Sequence, residues 1–234
     1  GVEVLKKVFL RIDPSLEVKA RLDDGERLSV GQIIAVIKGR VSNILRGERV
    51  ALNFLQRMSG VATETACYVD KVQGLPVRIA DTRKTVPGLR VLDKYAVRIG
   101  GGINHRLHLG DGILVKDNHL AVLRSKGVNL KDIVAKTRQN HPRTLQVEIE
   151  VASIEEAEAA TEAGADIVLL DNMDVEDMQR AVDAIRSRSL IEASGGLTLG
   201  NVRRVAEAGV DFISVGCLTH SAKALDIRLE IEQS

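Results

Sequence analysis

The sequence predicts an α/β fold in which a small, sandwich-like N-terminal α+β domain precedes an atypical, incomplete βα barrel of about six to seven strands. Two observations support this prediction. Short apolar runs alternate with helical patterns over most of the chain, which is typical of parallel strands joined by helices. No dinucleotide-type glycine fingerprint follows the first run, so a barrel is favoured over a doubly wound open sheet. The apolar runs are residues 77–80, 112–115, 146–151, 166–170, 190–193 and 212–215.

Residues 1–48 form the predicted N-terminal domain, because this part of the chain lacks the later alternation of strands and helices. Residues 2–12 are apolar with mixed period, residues 16–22 alternate with period two, and Asp23-Asp24-Gly25 is a turn signal. We interpret the segment as a small sheet of hairpin-connected strands. The chain opens inside a patterned segment, and we expect this domain to lack its first segment.

Residues 49–234 form the predicted barrel domain. The chain enters it through a helical pattern from Ser42 to about Val72, in which apolar residues recur at helical spacing. Gly60 is expected to break this stretch into two helices. The C-terminal residues are expected to form a helix that packs back on the N-terminal domain.

Composition excludes several classes of function. Lys and Arg total 33 against 32 acidic residues, and aromatic residues make up 2% of the chain, so little is available to bind or stack nucleic acid. No apolar stretch approaches the roughly 20 residues that span a bilayer, and no signal-peptide pattern opens the chain. Cys67 and Cys217 have neither disulfide-framework nor metal-ligand spacing. We therefore expect a soluble cytoplasmic protein without nucleic-acid or membrane partners.

Every predicted strand ends in polar or glycine-rich residues, and the carboxyl ends of barrel strands are where active sites form. One group of these residues is cationic, and its members would repel one another by roughly a few kcal/mol unless an anion neutralised them. A polyanionic ligand would remove that cost. A solvated basic turn and a structural histidine are the alternatives. The group comprises Arg83, Lys84 and Lys116, with His105 and Arg106 from a glycine-rich loop and the Thr82 hydroxyl beside them.

A second group is acidic. Glu148 and Glu150 point to the same face of one predicted strand, and Asp171 follows the next strand. Buried carboxylates need partners, which Mg²⁺, a sugar diol or the cationic group would provide. Asp174, with Asp177 three positions later, is the better cap for the following helix, so Asp171 is left for a ligand.

A third group is suited to phosphate. Ser194-Gly195-Gly196 precedes a helix predicted over residues 198–208, and Gly216 to His220 follows the last strand. Backbone N–H groups at such turns and helix starts bind anions, and phosphate sites are common after the last two strands of βα barrels.

These motifs, taken in order, resemble the quinolinate phosphoribosyltransferase family. The resemblance runs from about residue 25 to the end, and it rests on three sets of residues. The first is residues 48–53 and 59–63. The second is Asp81-Thr82-Arg83-Lys84-Thr85, residues 87–90, residues 100–106 and residues 116–119. The third is residues 148–151, 169–172, 194–196 and 218–221.

The resemblance implies an atypical βα barrel, a homodimer, and the reaction of quinolinate with phosphoribosyl pyrophosphate and Mg²⁺ to give nicotinate mononucleotide, pyrophosphate and CO₂. Members usually carry a further N-terminal stretch, which is why the first domain is expected to be incomplete.

The resemblance also implies roles for residues. It assigns the two carboxylates of quinolinate to Arg83, His105, Arg106 and Lys116, with Thr82 and Lys84 beside them, and expects Arg49 to reach in from the other subunit. It assigns ribose hydroxyls and Mg²⁺ to Glu150 and Asp171. It assigns phosphate to Ser194, Gly195, Gly196, Val215, Gly216 and His220. No pyridoxal phosphate is needed, because loss of CO₂ leaves electron density next to a cationic ring nitrogen and the substrate is its own electron sink. Either Lys116 or His105 would steady or protonate the centre that loses CO₂.

Two other functions fit part of the pattern. A related nicotinate phosphoribosyltransferase, or the homologue associated with molybdenum transport, would share the fold, although a substrate with one carboxylate needs fewer cations. A non-catalytic barrel that binds a phosphorylated ligand would keep the glycine turns but has no need of both Glu150 and Asp171.

Overall fold

The computed structural model describes residues 1–142 and 144–232 of the chain. These residues form two compact units. The first unit comprises Gly1–Ala66, Thr85–Gly101 and the chain from Cys217 onward, and the second comprises Cys67–Lys84 and Gly102–Gly216. Because the units interleave along the chain, the division between residues 48 and 49 stays a prediction.

In chain order, the helices and strands are α1 (Val2–Ile12), β1 (Glu17–Ala20), β2 (Ala35–Lys38), α2 (Val41–Lys71), β3 (Arg78–Ala80), α3 (Arg90–Ile99), β4 (Ile113–Val115), α4 (Asp117–Ser125), α5 (Leu130–Asn140), β5 (Val147–Val151), α6 (Ile154–Glu162), β6 (Ile167–Asp171), α7 (Val175–Ile185), β7 (Leu190–Ser194), α8 (Val202–Glu207), β8 (Phe212–Ser214) and α9 (Cys217–His220). Among the described helices, none is long and apolar enough to cross a membrane.

The second unit is built on a sheet of six parallel strands in the order β3-β8-β7-β6-β5-β4. All six predicted strands are confirmed, and their ends shift by at most one residue. Within the described residues no ladder joins β3 to β4, and the loop residue Ile103 forms an isolated bridge with Ala80 of β3. The prediction of an incomplete barrel-type sheet is therefore confirmed. Since the strands are parallel, their carboxyl ends meet at one edge.

The first unit contains the N-terminal α+β elements. Strands β1 and β2 pair antiparallel, as the period-two pattern predicts. Residues 2–12, however, form helix α1, so the prediction of a strand there was wrong. The buried residues Val2, Leu5 and Phe9 recur at helical spacing, and they form a hydrophobic cluster with Leu16 and Leu55.

Helix α2 is continuous from Val41 to Lys71, so the prediction of a break at Gly60 was also wrong. Gly60 is instead required for close packing against α2. A Cβ at this position would lie 2.0 Å from the carbonyl oxygen of Lys223, so the glycine allows the C-terminal segment to approach the helix backbone.

The C-terminal segment belongs to the first unit, as predicted for its packing, but residues 221–232 form no helix, so the prediction of a C-terminal helix was wrong for these residues. Its sequence explains this difference, because Leu225, Ile227 and Leu229 alternate with polar residues at period two. Ile227 and Leu229 pack on the hydrophobic cluster of the first unit, and the Leu225 N–H donates to the Gln56 carbonyl at 3.1 Å.

Candidate active site

Asp81, which directly follows β3 and is fully buried, connects the two segments that carry the cationic residues at this edge of the sheet. The Asp81 carboxylate accepts the backbone N–H of His105 at 2.9 Å and the side-chain amide of Asn104 at 2.6 Å. The turn that follows carries Thr82, Arg83 and Lys84, and the Thr82 hydroxyl accepts the Lys84 N–H at 3.0 Å. One buried carboxylate therefore ties the cationic turn to the loop that carries His105 and Arg106.

Arg83 and Arg106 are close enough to influence each other. Burial lowers the pKa of Arg106, and the charge of Arg83 lowers it further, while Glu148 and Glu192 act in the opposite direction. Arg106 donates one hydrogen bond to the Gly112 carbonyl at 3.2 Å. The Nε atom of Arg83 is buried and has no hydrogen-bond partner among the described residues. Two neighbouring guanidinium groups of this kind are suited to bind an anion.

His105 lies between two buried carboxylates. Its Nε2 is 3.2 Å from Oε2 of Glu148 and 3.3 Å from Oε2 of Glu192. Burial lowers the pKa of His105, but the hydrogen bonds and charges of the two glutamates outweigh that effect and raise it to about 10. Burial also raises the pKa of Glu148. Groups this close titrate together, so the cluster holds an extra proton at neutral pH.

The backbone of Arg106 decides where the protons of this cluster lie. Its N–H donates to Nδ1 of His105 at 2.8 Å, which requires an unprotonated Nδ1 and assigns the ring proton to Nε2. Because the three groups titrate as one, the pKa of about 10 belongs to the whole cluster, and its extra proton lies on Glu148, whose pKa burial raises. The three donor atoms also lie within 4.8 Å of one another, as in a metal site. A metal on Nε2 would force a proton onto Nδ1, facing the Arg106 N–H, so the cluster suits a proton better than a metal ion.

Lys116 and Glu150 form an ion pair at the ends of β4 and β5. Lys116 is the N-cap residue of α4, and its Nζ lies 3.1 Å from Oε2 of Glu150. The N–H of Asp117 donates to the other oxygen of Glu150 at 3.4 Å. The Lys116 side chain is 49% exposed, whereas that of Glu150 is 9% exposed. The predicted need of Glu150 for a cationic partner is thus met by Lys116, which also reaches solvent.

A cavity of about 230 Å³ adjoins this ion pair. Its lining includes four acidic residues, Glu150, Asp171, Asp117 and Glu156, together with Leu120 and Arg124. Oxygen donors in such a cavity are the ligands that Mg²⁺ and sugar hydroxyls prefer.

Asp171 ends β6 and is not used as a helix cap. Asp174 caps α7 instead, accepting the Asp177 N–H at 2.9 Å, as predicted. One oxygen of Asp171 accepts the side-chain amide of Asn172 at 2.8 Å. Asp171 therefore faces the cavity beside Glu150, and these two carboxylates fit the donor set of a magnesium or ribose site.

The turn after β7 has the tight geometry that a phosphate site needs. Gly195 and Gly196 both have positive φ, and a Cβ on Gly195 would lie 2.3 Å from the side-chain oxygen of Asn172. The predicted helix does not begin at Thr198, however. Helix α8 starts at Val202, because Asn201 accepts the Thr198 N–H and donates to the Gly196 carbonyl, which closes a turn.

Three further residues complete the predicted set, namely Val215, Arg49 and His220. Val215 follows β8, and its N–H donates to the Ala80 carbonyl at 2.9 Å, with Gly216 next in the chain. Arg49 belongs to the first unit, where its side chain is 71% exposed and lies 3.9 Å from Glu48. His220 also belongs to the first unit, is exposed, and has Nδ1 2.5 Å from the Ser221 hydroxyl. The roles of all three in a site stay predictions.

Sequence reasoning missed Glu192 as a site residue and gave no role to Asp81. A signal for Glu192 is present, since it interrupts the apolar run of β7 and shares the strand face of Ser194. A carboxylate inside a buried strand needs a partner, and His105 is that partner.

The fold and its carboxyl edge are those of a βα enzyme built for an anionic substrate. The particular family follows from sequence. Residues 1–59 match the family description "Quinolinate phosphoribosyl transferase, N-terminal domain", and residues 61–230 match the description of its C-terminal domain. The chain therefore belongs to the quinolinate phosphoribosyl transferase family, whose members are pentosyltransferases.

Individual relatives agree with this assignment. The chain is 45% identical to nicotinate-nucleotide pyrophosphorylase (carboxylating) of Mycobacterium leprae, over 97% of this chain and 79% of the relative. It is 40% identical to quinolinate phosphoribosyltransferase (decarboxylating) 2b, mitochondrial, of Nicotiana tabacum, over 99% of this chain and 70% of the relative.

Solved structures agree as well. Nicotinate-nucleotide pyrophosphorylase from Ehrlichia chaffeensis superposes with a TM-score of 0.93 at 39% identity, over 99% of this chain and 83% of that one. NadC from Streptococcus pyogenes superposes with a TM-score of 0.90 at 44% identity, over 97% and 79%.

Proposed function

We propose that the protein is a decarboxylating quinolinate phosphoribosyltransferase of NAD biosynthesis. It would convert quinolinate and phosphoribosyl pyrophosphate to nicotinate mononucleotide, pyrophosphate and CO₂. Family membership and the names of relatives at about 40% identity support this activity. The cytoplasm is the compartment we predict for it.

The pairing of Arg83 with Arg106 is the observation that carries the proposal. Each guanidinium matches one planar carboxylate, and their mutual repulsion is relieved when a dicarboxylate binds. The buried Nε of Arg83, without a partner among the described residues, supports a ligand at this position. Lys84 and Thr82 in the same turn, and Lys116 at the end of β4, add further donors for the substrate.

Phosphoribosyl pyrophosphate would occupy the acidic cavity and the glycine turns. Glu150 and Asp171 would hold the ribose hydroxyls and Mg²⁺, which assists pyrophosphate departure by neutralising its charge. Ser194, Gly195 and Gly196, together with Val215 and Gly216, would bind phosphate through backbone N–H groups. His220 is a further candidate for phosphate.

The reaction balances with these residues and the substrates. The pyridine nitrogen attacks C1 of the ribose, the C–N bond forms, and the bond to pyrophosphate breaks with its electron pair. The carboxylates of Glu150 and Asp171 favour the positive charge that builds on the ribose. The ring nitrogen is now cationic, so the bond from C2 to its carboxylate breaks, CO₂ leaves, and a proton takes its place. The electron pair left on C2 is stabilised by the positive charge of the adjacent ring nitrogen until the proton arrives, so we propose that no pyridoxal phosphate takes part.

Lys116 is favoured over His105 as the group that steadies or protonates C2. Both ring nitrogens of His105 contact groups of the protein, namely the two glutamates at Nε2 and the Arg106 N–H at Nδ1. Lys116 has a half-exposed ammonium group with three donors, and only one of them is needed for Glu150.

A homodimer in which Arg49 serves the partner's site is part of the proposal. Helix α2 presents the exposed apolar residues Val41, Leu45 and Val50 close to Arg49 in sequence. Apolar side chains exposed on one helix are typical of surfaces that pair with another chain. The Arg49 guanidinium is exposed and lies 3.9 Å from Glu48, a long distance for an ion pair, so this weak contact leaves it able to bind an anion.

One assay tests the activity. The purified protein is given quinolinate, phosphoribosyl pyrophosphate and Mg²⁺, and release of CO₂ and pyrophosphate is measured beside an identical reaction with nicotinate. Equal release of CO₂ and pyrophosphate with quinolinate alone is the expected result. Pyrophosphate with nicotinate alone would reassign the protein to a nicotinate phosphoribosyltransferase, and no product in either reaction would favour a binding role.

A further inference from the structure

An unbroken series of hydrogen bonds links the interior of the sheet to Arg106. It begins at Glu192 on β7 and Glu148 on β5, whose carboxylates both face Nε2 of His105 at 3.3 and 3.2 Å. It continues through the imidazole to Nδ1, which accepts the Arg106 N–H at 2.8 Å. The ring of His105 is therefore a rigid spacer between two glutamates and the backbone of Arg106.

Burial of the two carboxylates lowers the stability of the folded protein, which indicates that they serve function and not stability. Glu192 and Glu148 are 2% and 4% exposed, and Oε1 of each has no hydrogen-bond partner among the described residues. A buried carboxylate with an unsatisfied oxygen destabilises a protein, and apolar residues of similar size would pack at these positions without that penalty. Stability alone does not account for two such residues on strands that flank β6.

The backbone of His105 is held by a different residue from those that hold its ring. Asp81 accepts the His105 N–H at 2.9 Å, so the backbone of His105 is fixed from β3 while its ring is fixed from β5 and β7. The backbone N–H of Arg106 is in turn held by its hydrogen bond to Nδ1 of the His105 ring. A separate hydrogen bond, from the Arg106 guanidinium to the Gly112 carbonyl at 3.2 Å, orients the side chain from the fixed backbone.

We propose that Glu192, acting with Glu148 through His105, is a positioning residue that aims Arg106 at a carboxylate of the substrate. The proposal rests on the proposed function for the identity of that substrate, quinolinate. Glu192 is not a catalytic residue in this proposal, because it touches His105 and not the ligand. The affinity for the dicarboxylate is the quantity that it controls.

The kinetic test compares Glu192→Ala with Glu192→Gln, which keeps an acceptor for Nε2–H. Glu192→Ala is expected to raise KM for quinolinate about tenfold, as loss of a buried hydrogen bond in such a network does, while KM for phosphoribosyl pyrophosphate stays within about twofold. Glu192→Gln is expected to restore most of the affinity. Glu158→Ala, an exposed glutamate on α6, is the control and should change neither constant.

A double-mutant cycle tests the route through Arg106. In an Arg106→Ala background the effect of Glu192→Ala on KM for quinolinate should fall to about twofold or less, because coupled residues are not additive. A tenfold effect that persists in that background, or one that falls equally on both substrates, overturns the proposal. So does a Glu192→Ala variant that matches the wild type.

The arrangement can also be tested without any substrate. Nitrogen-15 NMR of the histidine rings, with His105 assigned by its absence in His105→Gln, should show the Nε2–H tautomer in the wild type and a mixture of tautomers in Glu192→Ala. The chain has five histidines, so the assignment is tractable. A wild-type ring that carries a proton on Nδ1, either as the Nδ1–H tautomer or as the imidazolium, overturns the inference, even if Glu192→Ala fails to fold. A wild type that shows the Nε2–H tautomer but no turnover of quinolinate refutes the proposed function and leaves the positioning arrangement supported.

Discussion

Asp81 and His105 are joined by a 2.9 Å hydrogen bond from the His105 N–H to the buried carboxylate. Asp81 lies two residues before Arg83, and His105 lies one residue before Arg106. A single carboxylate at the end of β3 therefore sets the spacing of two guanidinium groups that come from different parts of the chain. The proposed site for a dicarboxylate depends on that spacing, since each guanidinium would meet one carboxylate.

Replacement of Arg83 should remove turnover without unfolding the protein. Arg83→Ala is expected to lower kcat/KM for quinolinate by about 100-fold or more, because a bidentate contact to a charged group is lost. Arg83→Lys keeps the charge but not the planar fork, and it should recover only part of the activity. Steady-state kinetics with circular dichroism as the folding control would measure this. Near-normal activity of Arg83→Ala would remove Arg83 from the site.

Mixed subunits should test whether Arg49 acts across a dimer. Arg49→Ala and Arg83→Ala are each expected to be inactive alone, but a mixed dimer contains one site with neither substitution. Mixing the two variants should therefore restore up to about a quarter of wild-type activity by random pairing. If subunit exchange is verified by mass spectrometry and no activity returns, Arg49 works within its own chain.

The acidic cavity should govern the requirement for Mg²⁺. Glu150→Gln and Asp171→Asn are expected to raise the Mg²⁺ concentration for half-maximal pyrophosphate release about tenfold each, because a carboxylate is a far stronger ligand than an amide. Glu176→Gln on the exposed face of α7 is the matched control and should leave the Mg²⁺ dependence unchanged. An unchanged Mg²⁺ dependence in both site variants would place the metal elsewhere.

The His105 cluster should make stability depend on pH. Since the two glutamates raise the pKa of His105 from 6.5 to about 10, the cluster binds a proton more tightly in the folded state than in the unfolded state. The resulting stabilisation is complete below pH 6.5 and is lost as pH rises through 10. The Tm of the wild type should therefore fall over this range relative to a Glu148→Gln, Glu192→Gln variant. A difference in Tm that stays constant with pH would show that the cluster does not retain the proton.

Gly60→Ala should loosen the C-terminal segment. The added Cβ would lie 2.0 Å from the Lys223 carbonyl, which forces the segment away from α2. We expect a loss of about 2 kcal/mol or more in the free energy of unfolding, since overpacking against backbone costs this much. Gly200→Ala is the control, because its Cβ would meet its nearest neighbour at 3.6 Å without positive φ. Equal stability of the two variants would contradict the close packing.

The six parallel strands and most residues of the candidate site could be predicted, because the strands are apolar runs and the site residues lie at or directly after the ends of those runs. Parallel strands covered on both faces read as continuous apolar runs, so their positions and their ends are visible in sequence. Glu192 was missed because it lies inside a run, whereas the prediction considered the ends of runs and β5. Helix α1 was missed because Val4 and Leu10 are apolar residues outside the helical spacing of Val2, Leu5 and Phe9, which hides the helical period. The course of α2 past Gly60 depends on a contact with the distant residue Lys223, and no local pattern records that contact.

The buried acids of β5 and β7 also set a limit on sequence design. A design procedure that rewards heat resistance would replace Glu148 and Glu192 with leucine or methionine, because uncharged side chains fill such positions at lower cost. Expression and melting temperature would improve in such a library, while the proposed role of Glu192 means that binding of the dicarboxylate would decline without being detected. Positions 148 and 192 should therefore be held constant when this scaffold is stabilised for biocatalysis.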